Sequence, residues 1–204
     1  MGGGNTAEQT REILLDAAEH SFRVRGHRAS TMETIAHDAG YSRAAIYRQF
    51  PNRDSLNAAL IQRTTQRHMK ALLKRQQGTG PVEMIVETLV VVATELAHDP
   101  LLKTISDAAD EGTVAQMLAN SGTVTRQAEP MIEAMLREDA GQHFRRGLHP
   151  QDLTQFLVAT ALSLLLGIVP GSENADVARH YIEVFVLPAI IKAPPRPRAV
   201  FPRA

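Results

Sequence analysis

The chain contains no cysteine and no tryptophan among its 204 residues, and aromatic side chains make up only 4% of it. The absence of cysteine excludes disulfide bonds, thiolate metal sites and cysteine nucleophiles, and it fits a reducing compartment. With 44% apolar residues, the chain is long enough to bury a sizeable core. The composition therefore predicts a folded protein of one or two domains.

Long hydrophobic runs are also absent. The longest nearly apolar run, residues 156–169, is shorter than the ~20 residues that a helix needs to cross a bilayer. The first residues, MGGGNTAEQTRE, contain no apolar segment of the kind found in signal peptides. We therefore expect a cytoplasmic protein with no membrane partner.

The common sequence motifs of enzymes are missing too. The chain has no Gly-rich phosphate loop, no His-Glu-x-x-His and no Gly-x-Ser-x-Gly. Its eight histidines are scattered, and no pair has the helical spacing of metal ligands. The acidic residues Asp107, Asp110 and Glu111 could hold a hard cation, but a solvated loop is the simpler interpretation. We expect no catalytic residues, no metal and no cofactor.

The charge is unevenly distributed along the chain. The whole chain has 22 basic and 22 acidic residues, but residues 1–75 contain 12 Lys and Arg against 7 Asp and Glu, a formal charge of +5. The remainder has 10 against 15, a formal charge of −5. A small basic segment is attractive to a phosphate backbone, although an ordinary solvated surface would explain the same excess.

Helical periodicity runs through almost the whole sequence and predicts an all-α fold. In the first part, one helix ends at Gly26, a short one begins after Ser30, another spans residues 43–49 and a long one spans 53–75. The later helices are expected at residues 82–97, 100–106, 114–119, 123–139 with a kink or break at Pro130, 150–169, and from Ser172 or Asn174 to 192. The Pro-rich tail, residues 194–204, is expected to be disordered.

Residues 31–50, TMETIAHDAGYSRAAIYRQF, have the pattern of a helix-turn-helix. Each of the two short helices begins after its own Ser or Thr cap, and Gly40 lies in the turn between them. Apolar Ile35, Ala36, Ala39 and Ile46 are spaced to hold the two helices together. The second helix would then present its N-terminal half outward, and a DNA major groove admits an element of that size.

This part of the chain resembles the tetracycline-repressor (TetR) family of bacterial transcriptional regulators. The resemblance covers residues 10–56. It rests on Arg11, Ile13-Leu14, Ala17-Ala18, Phe22, Gly26, Thr31, Ile35-Ala36, Ala39-Gly40-Tyr41-Ser42, Tyr47, Phe50-Pro51 and Arg53-Asp54-Ser55-Leu56. The sequence departs from the family pattern at Tyr41, where a small aliphatic residue is usual, and at residues 43–45.

The resemblance implies a two-part architecture. We expect an N-terminal three-helix DNA-binding domain in residues 1–52, a linking helix and hinge in residues 53–80, and a helical ligand-binding and dimerisation domain in residues 81–193. The implied function is a DNA-binding transcriptional regulator, with repression as the family default. It would bind a palindromic operator as a homodimer and be released by a small lipophilic molecule. A helical interaction scaffold, or a regulator that needs no effector, is the alternative.

The candidate DNA contacts lie in and around the helix-turn-helix. They are Arg28, Thr31, Tyr41, Ser42, Arg43, Ala44, Ala45, Tyr47, Arg48 and Arg53. Arg43 could read a guanine edge or contact a phosphate, and the two alanines could touch a thymine methyl or simply permit groove entry. Tyr47 and Arg53 match phosphate-contacting positions of the family. Tyr41 and Arg48 could contact the DNA backbone or a base. Thr31 and Ser42 could bind phosphate or act only as helix caps, and Arg28 could reach the backbone.

The last two long helices carry apolar residues on two faces, which requires two apolar neighbours. One neighbour would be the chain's own core and the other a second copy of the chain. The expected dimer interface contains Val158, Leu162, Leu166, Ile182, Val186 and Ala189. The alternative is that both faces are internal to a single chain.

Apolar side chains of the later helices are candidates for an effector site. The expected lining consists of Leu89, Val92, Leu96, Met117, Met131, Met135, Phe156 and Thr160. The scarcity of aromatic residues favours a lipophilic ligand held by aliphatic and Met side chains. Ordinary core packing is the alternative role for each of these residues.

Overall fold

The structure, a computed structural model, describes residues 6–75, 78–108, 123–196 and 200. Helices dominate these ranges, and an isolated antiparallel bridge joins Phe144 to Ile191. The helices are α1 (Ala7–Arg25), α2 (Met32–Asp38), α3 (Arg43–Gln49), α4 (Arg53–Arg75), α5 (Pro81–Val91), α6 (Pro100–Ala108), α7 (Thr123–Asp139), α8 (Pro150–Leu165), α9 (Ala175–Tyr181) and α10 (Leu187–Ile190). The all-α fold predicted from the sequence is confirmed, and within the described ranges no helix is long and apolar enough to cross a membrane.

The first of two compact units contains α1, α2, α3, the start of α4 and also α6. Its core is made of fully buried side chains such as Leu14, Phe22, Ile35, Ile46 and Leu60. Helix α6 packs against α1 and buries Leu102 and Ile105. The first unit therefore includes a helix that the sequence pattern had placed with the later helices.

The second unit contains the end of α4, α5 and α7–α10. Two of its helices pass through a single π-helical turn, Val92–Leu96 after α5 and Ile182–Val186 after α9. Helix α7 packs along α8, and α9 packs along α5. Arg179 of α9 forms ion pairs with Glu83 and Glu87 of α5. The α5–α9 contact therefore has buried apolar residues inside and ion pairs at its edge.

Three helix boundaries in this unit depend on local chemistry. Helix α8 ends at Leu165 rather than near Val169, because Gly167 takes a φ of 65° and Ile168 N–H donates back to the Ser163 carbonyl, 3.0 Å away. Asn174 caps α9, where its side chain accepts from the backbone N–H of Asp176 and Val177. Helix α10 ends at Ile190 because Ile191 is extended.

Pro130 does not break α7, which is continuous from Thr123 to Asp139. The expected break is therefore wrong. A proline inside a helix loses one backbone hydrogen bond and crowds the preceding turn. Pro130 is exposed, so its ring takes no room in the core, and the helix around it is held by packing against α8. The helix expected at residues 114–119 lies outside the described residues.

Candidate nucleic-acid interface

Helices α2 and α3 form a helix-turn-helix whose ends are fixed by side-chain caps. Thr31 accepts from Thr34 N–H at 3.1 Å, and Ser42 accepts from Ala45 N–H at 3.3 Å. Between the helices, Gly40 takes a φ of 74°, which suits glycine, and Tyr41 N–H donates to the Ala36 carbonyl. The predicted bounds of α3, residues 43–49, are therefore confirmed.

The two helices are joined by small and branched side chains. The contact between them buries Ile35, Ala36, Ala45 and Ile46 in the core of the first unit. The expected role of Ala45 at the DNA surface is wrong, because its methyl group faces inward and only 6% of the residue is exposed. Ala44, one position earlier, is exposed and remains a candidate for contact with a thymine methyl.

The outer surface of α3 is polar and mostly exposed. The Arg43 side chain is 71% exposed, Arg48 and Ser42 are exposed, and Tyr47 is half-buried. Thr31 and Arg28 are exposed on the α2 side, and Tyr41 is half-buried in the turn. The structure thus brings most of the predicted contact residues onto one helix-turn-helix surface.

Helix α1 supports both ends of α3. The Arg11 guanidinium donates to the Gln49 carbonyl at 3.4 Å and lies over the Phe50 ring, 4.6 Å from its centroid. Thr10 donates its hydroxyl to the Tyr41 phenol oxygen at 3.5 Å. In the sequence analysis, Arg11 served only as a match to the family pattern. Its contact with α3 joins two residues that lie 38 positions apart in the sequence.

Arg53 does not project toward solvent as a phosphate-contacting group would. Its guanidinium donates to the carbonyls of Ser30 and His27, and its Nε donates to His27 Nε2 at 3.3 Å. The Phe22 ring lies 5.1 Å below it. In the single chain, Arg53 therefore closes the α1–α2 loop that carries Arg28 and Thr31, and its phosphate contact stays a prediction.

The surroundings of His27 lower its pKa and so favour its neutral form. Burial lowers the pKa of His27, the positive Arg53 guanidinium lowers it further, and the hydrogen bond to Asn57 only partly opposes these effects. His27 Nε2 lies 3.3 Å from both Arg53 Nε and Asn57 Oδ1, and it can accept from Arg53 only in the tautomer that does not donate to Asn57. The loop before α2 is thus organised around a half-buried cation and a half-buried imidazole.

Glu33 of α2 contacts two of the candidate DNA-contacting residues of α3. Its Oε1 atom is 3.1 Å from Arg43 Nε and accepts from the Tyr47 hydroxyl at 3.3 Å. Arg43 also lies over the Tyr47 ring, 5.4 Å from the centroid. The pKa of Glu33 is below its ordinary value, first because the carboxylate accepts from its own backbone N–H and then because Arg43, Tyr47 and Thr31 favour the charged form against partial desolvation. The sequence analysis missed this residue.

The expected dimer residues fall into two groups in the single chain. Ile182 and Val186 are 0% and 2% exposed, so their assignment to a surface is wrong: they belong to the core of the second unit. Leu166 and Ala189 are exposed, and Val158 and Leu162 are half-buried. Phe185, 55% exposed, and Ile168, 65% exposed, are apolar surface residues that the sequence analysis had not selected.

The expected effector residues are also divided. Leu89, Val92 and Leu96 are buried on α5 and its π-helical turn, and Met135 and Thr160 are half-buried on α7 and α8. Met131 and Phe156 are 58% and 38% exposed, so in the single chain they face outward rather than into an enclosed space. Met117 lies outside the described residues.

Comparison with known proteins gives consistent matches. Residues 14–60 match the model of a family described as bacterial regulatory proteins of the tetR family. An uncharacterised helix-turn-helix transcriptional regulator of Mycobacterium tuberculosis is 27% identical over 187 residues, which cover 91% of this chain and 88% of that protein.

Solved structures agree along almost the whole chain. SmeT, the repressor of the SmeDEF multidrug efflux pump of Stenotrophomonas maltophilia, is 26% identical, with a TM-score of 0.59 over 95% of this chain and 99% of that one. Its complex with triclosan matches with 27% identity and a TM-score of 0.56, covering 93% and 99% of the two chains. A regulator from Pectobacterium atrosepticum shares the fold at 18% identity, with a TM-score of 0.70 over 93% and 97%.

The Arg53 contacts generate a prediction about stability. Arg53→Ala leaves two loop carbonyls without their charged donor, and we expect it to lower the free energy of unfolding by about 1–3 kcal/mol. Arg28→Ala removes an exposed arginine from the same loop and should change it by no more than about 0.5 kcal/mol. Chemical denaturation followed by circular dichroism measures both. Equal stability of the two variants would contradict the anchoring role of Arg53.

Proposed function

The chain belongs to the TetR family of bacterial transcriptional regulators, and we propose that it is a ligand-responsive repressor that binds a palindromic operator as a homodimer. The observation that carries this proposal is the helix-turn-helix itself. Ser42 caps α3, and Ile46 packs it against α2. Arg43 and Ala44 are exposed at its N-terminal end.

Contacts with DNA are assigned by the position and chemistry of each side chain. Arg43 reads a guanine, because a guanidinium can donate two hydrogen bonds to O6 and N7 in the major groove. Ala44 contacts a thymine methyl at the adjacent position. The residues around them bind the DNA backbone, which fixes the register without reading sequence: these are Arg28, Thr31, Tyr41, Ser42, Tyr47 and Arg48.

The DNA assignment is tested with Arg43→Ala on an operator selected from a random-sequence pool. If Arg43 reads a base, its loss should cost about 1–3 kcal/mol of binding free energy and relax specificity at one position in each half-site. The matched control is Arg23→Ala, which removes the same charge from an exposed site on α1. A uniform loss on every sequence would instead assign Arg43 to the DNA backbone.

Dimerisation is assigned to the exposed apolar surface of α8 and the final helices. Leu166, Ile168, Phe185 and Ala189 are exposed in the single chain, and a monomer would leave this apolar area in water. An isologous dimer through this surface buries it and presents two copies of α3 to the two halves of a palindrome.

We expect Phe185→Asp to convert the dimer to a monomer, because it places a charge in an apolar interface without disturbing the core. Val24→Asp introduces the same charge at an exposed apolar residue of α1 and should leave the dimer intact. Sedimentation velocity across a range of protein concentrations separates the two outcomes. A dimeric Phe185→Asp variant would place the interface on another surface.

The effector is proposed to be a small lipophilic molecule bound in the second unit. Buried Leu89 and Leu96 and half-buried Met135 and Thr160 offer aliphatic and thioether surface with a single hydroxyl. The triclosan complex of SmeT, a structure that spans almost the whole chain, supports an effector of this class. Such a ligand can release DNA only if it prefers the conformation that does not fit the operator.

Triclosan is therefore the first probe. Saturating triclosan should weaken operator binding by about 5- to 150-fold, and by linkage the operator must weaken triclosan binding by the same factor. Fluorescence anisotropy on labelled operator and calorimetry with and without operator give the two numbers. Met135→Lys should abolish the release while leaving operator affinity without triclosan unchanged. Triclosan binding that leaves operator occupancy intact would contradict the release mechanism.

A further inference from the structure

One carboxylate lies among the basic and aromatic groups of the proposed DNA-facing surface. Glu33 is in the first turn of α2, and its side chain reaches across to α3. It holds two proposed contact residues at once, since the same oxygen pairs with Arg43 Nε and accepts from the Tyr47 hydroxyl. A negative charge at this position repels the DNA backbone, so its presence on this surface needs an explanation.

The geometry of the pair leaves part of the arginine available. The ion pair with Glu33 uses Nε of Arg43, whereas bidentate pairing to a guanine needs two parallel donors of the guanidinium fork. Both Nη groups remain outside that contact. Arg43 also lies over the Tyr47 ring, so the carboxylate and the ring together restrict a side chain that would otherwise sample many rotamers.

The two kinds of DNA contact are affected differently by this carboxylate. A phosphate is attracted to the net charge of Arg43, and Glu33, whose Oε1 lies 3.1 Å from Arg43 Nε, offsets part of that charge. A guanine edge is recognised by the directed hydrogen bonds of a fixed fork, which the contact with Glu33 supports. The carboxylate therefore weakens attraction to any DNA more than it weakens recognition of the correct base.

We propose that Glu33 is a specificity-determining residue, which partly neutralises Arg43 and, together with Tyr47, orients it so that Arg43 binds strongly only where the operator offers a guanine edge. This inference rests on the proposed DNA-facing surface of α3. It assigns to α2 a direct part in discrimination, in addition to its packing against α3. The depressed pKa of Glu33 keeps the carboxylate charged at neutral pH, as this role requires.

The test compares Glu33→Gln with the wild-type chain on two duplexes. One is the operator that the wild-type chain selects from a random pool, and the other is a scrambled duplex of the same length and composition. We expect Glu33→Gln to bind the scrambled duplex about two- to fivefold more tightly, the range expected for loss of an exposed ion pair. Its dependence on salt should be steeper by up to about 0.9 in log–log slope, because one more cation meets a phosphate. Operator affinity should be unchanged or weaker, so the specificity ratio falls.

Glu8→Gln is the matched control for net charge. Glu8 is an exposed acid in the first turn of α1, and its replacement changes the charge of the same unit by the same amount. It should change the affinity for both duplexes by the same factor and leave the specificity ratio constant. In the Arg43→Ala background, Glu33→Gln should no longer change the ratio, because the group on which it acts is gone.

The outcomes separate failure of this inference from failure of the proposed DNA-facing surface. The proposed role of Glu33 is wrong, while the DNA-facing surface stands, in two cases. In the first, Glu33→Gln changes the affinity for both duplexes by the same factor. In the second, it changes the specificity ratio as much in the Arg43→Ala background as in the wild-type chain. If Arg43→Ala itself leaves operator binding unchanged, the surface is wrong and the inference fails with it. The Arg43 Nε–H resonance gives a check without DNA: it should move in Glu33→Gln and stay in place in Glu8→Gln, and an unmoved resonance overturns the contact.

Discussion

The contact between α2 and α3 is the constraint on which the functional surface depends. A helix of seven residues has too few internal hydrogen bonds to be stable alone, so α3 exists in this form because tertiary packing holds it. Ala36 and Ala45 allow close approach, and Ile35 and Ile46 fill the space between the helices. Once those inward positions are occupied, the helical period places Arg43, Ala44, Tyr47 and Arg48 on the opposite side. The outward positions of these proposed DNA-contacting residues are therefore a geometric consequence of the core.

The formal charge of the basic segment is only partly available to DNA. Arg63 forms ion pairs with Glu12, Asp16 and Glu19 and braces α4 against α1. Arg25 pairs with Asp38, and Arg53 is directed into the α1–α2 loop. These cations hold the unit together, while Arg28 and Arg48 are exposed and Arg43 is partly neutralised by Glu33. Charge counted along the sequence thus overstates the electrostatic attraction of this surface and does not locate it.

Features that depend on residues close together in the sequence were predictable, and features that depend on distant residues were not. The bounds of α3 were predictable because Ser42, Gly40 and the apolar spacing act within a few residues. The orientation of Arg53 was not, because it depends on carbonyls 23 and 26 residues away. Ile182 and Val186 were misassigned because a helix that is apolar on two faces contains no local signal of which face is internal. Glu33 was missed because its partners lie on the next helix, and an acid in the first turn of a helix is already explained by the helix dipole.

Helix α4 is one of the segments through which the chain passes from one unit to the other, and the chain crosses again between His98 and Asp99. Within the first unit, α4 is held by Arg63 on the carboxylates of α1, and within the second, Arg75 pairs with Glu95 in the π-helical turn after α5. Both side chains of the Arg75–Glu95 pair are partly exposed, and such pairs contribute little and can exchange for water at low cost. Leu56, Leu60 and Ile61 are buried near the start of α4, and Leu72 is buried near its end. The end of α4 is therefore held by a buried side chain as well as by the partly exposed Arg75–Glu95 pair, and that pair is the part that can change with the least loss. Glu95 lies beside Leu96, in the turn that follows the helix of Leu89, so this pair is the contact of α4 closest in sequence to the proposed effector residues.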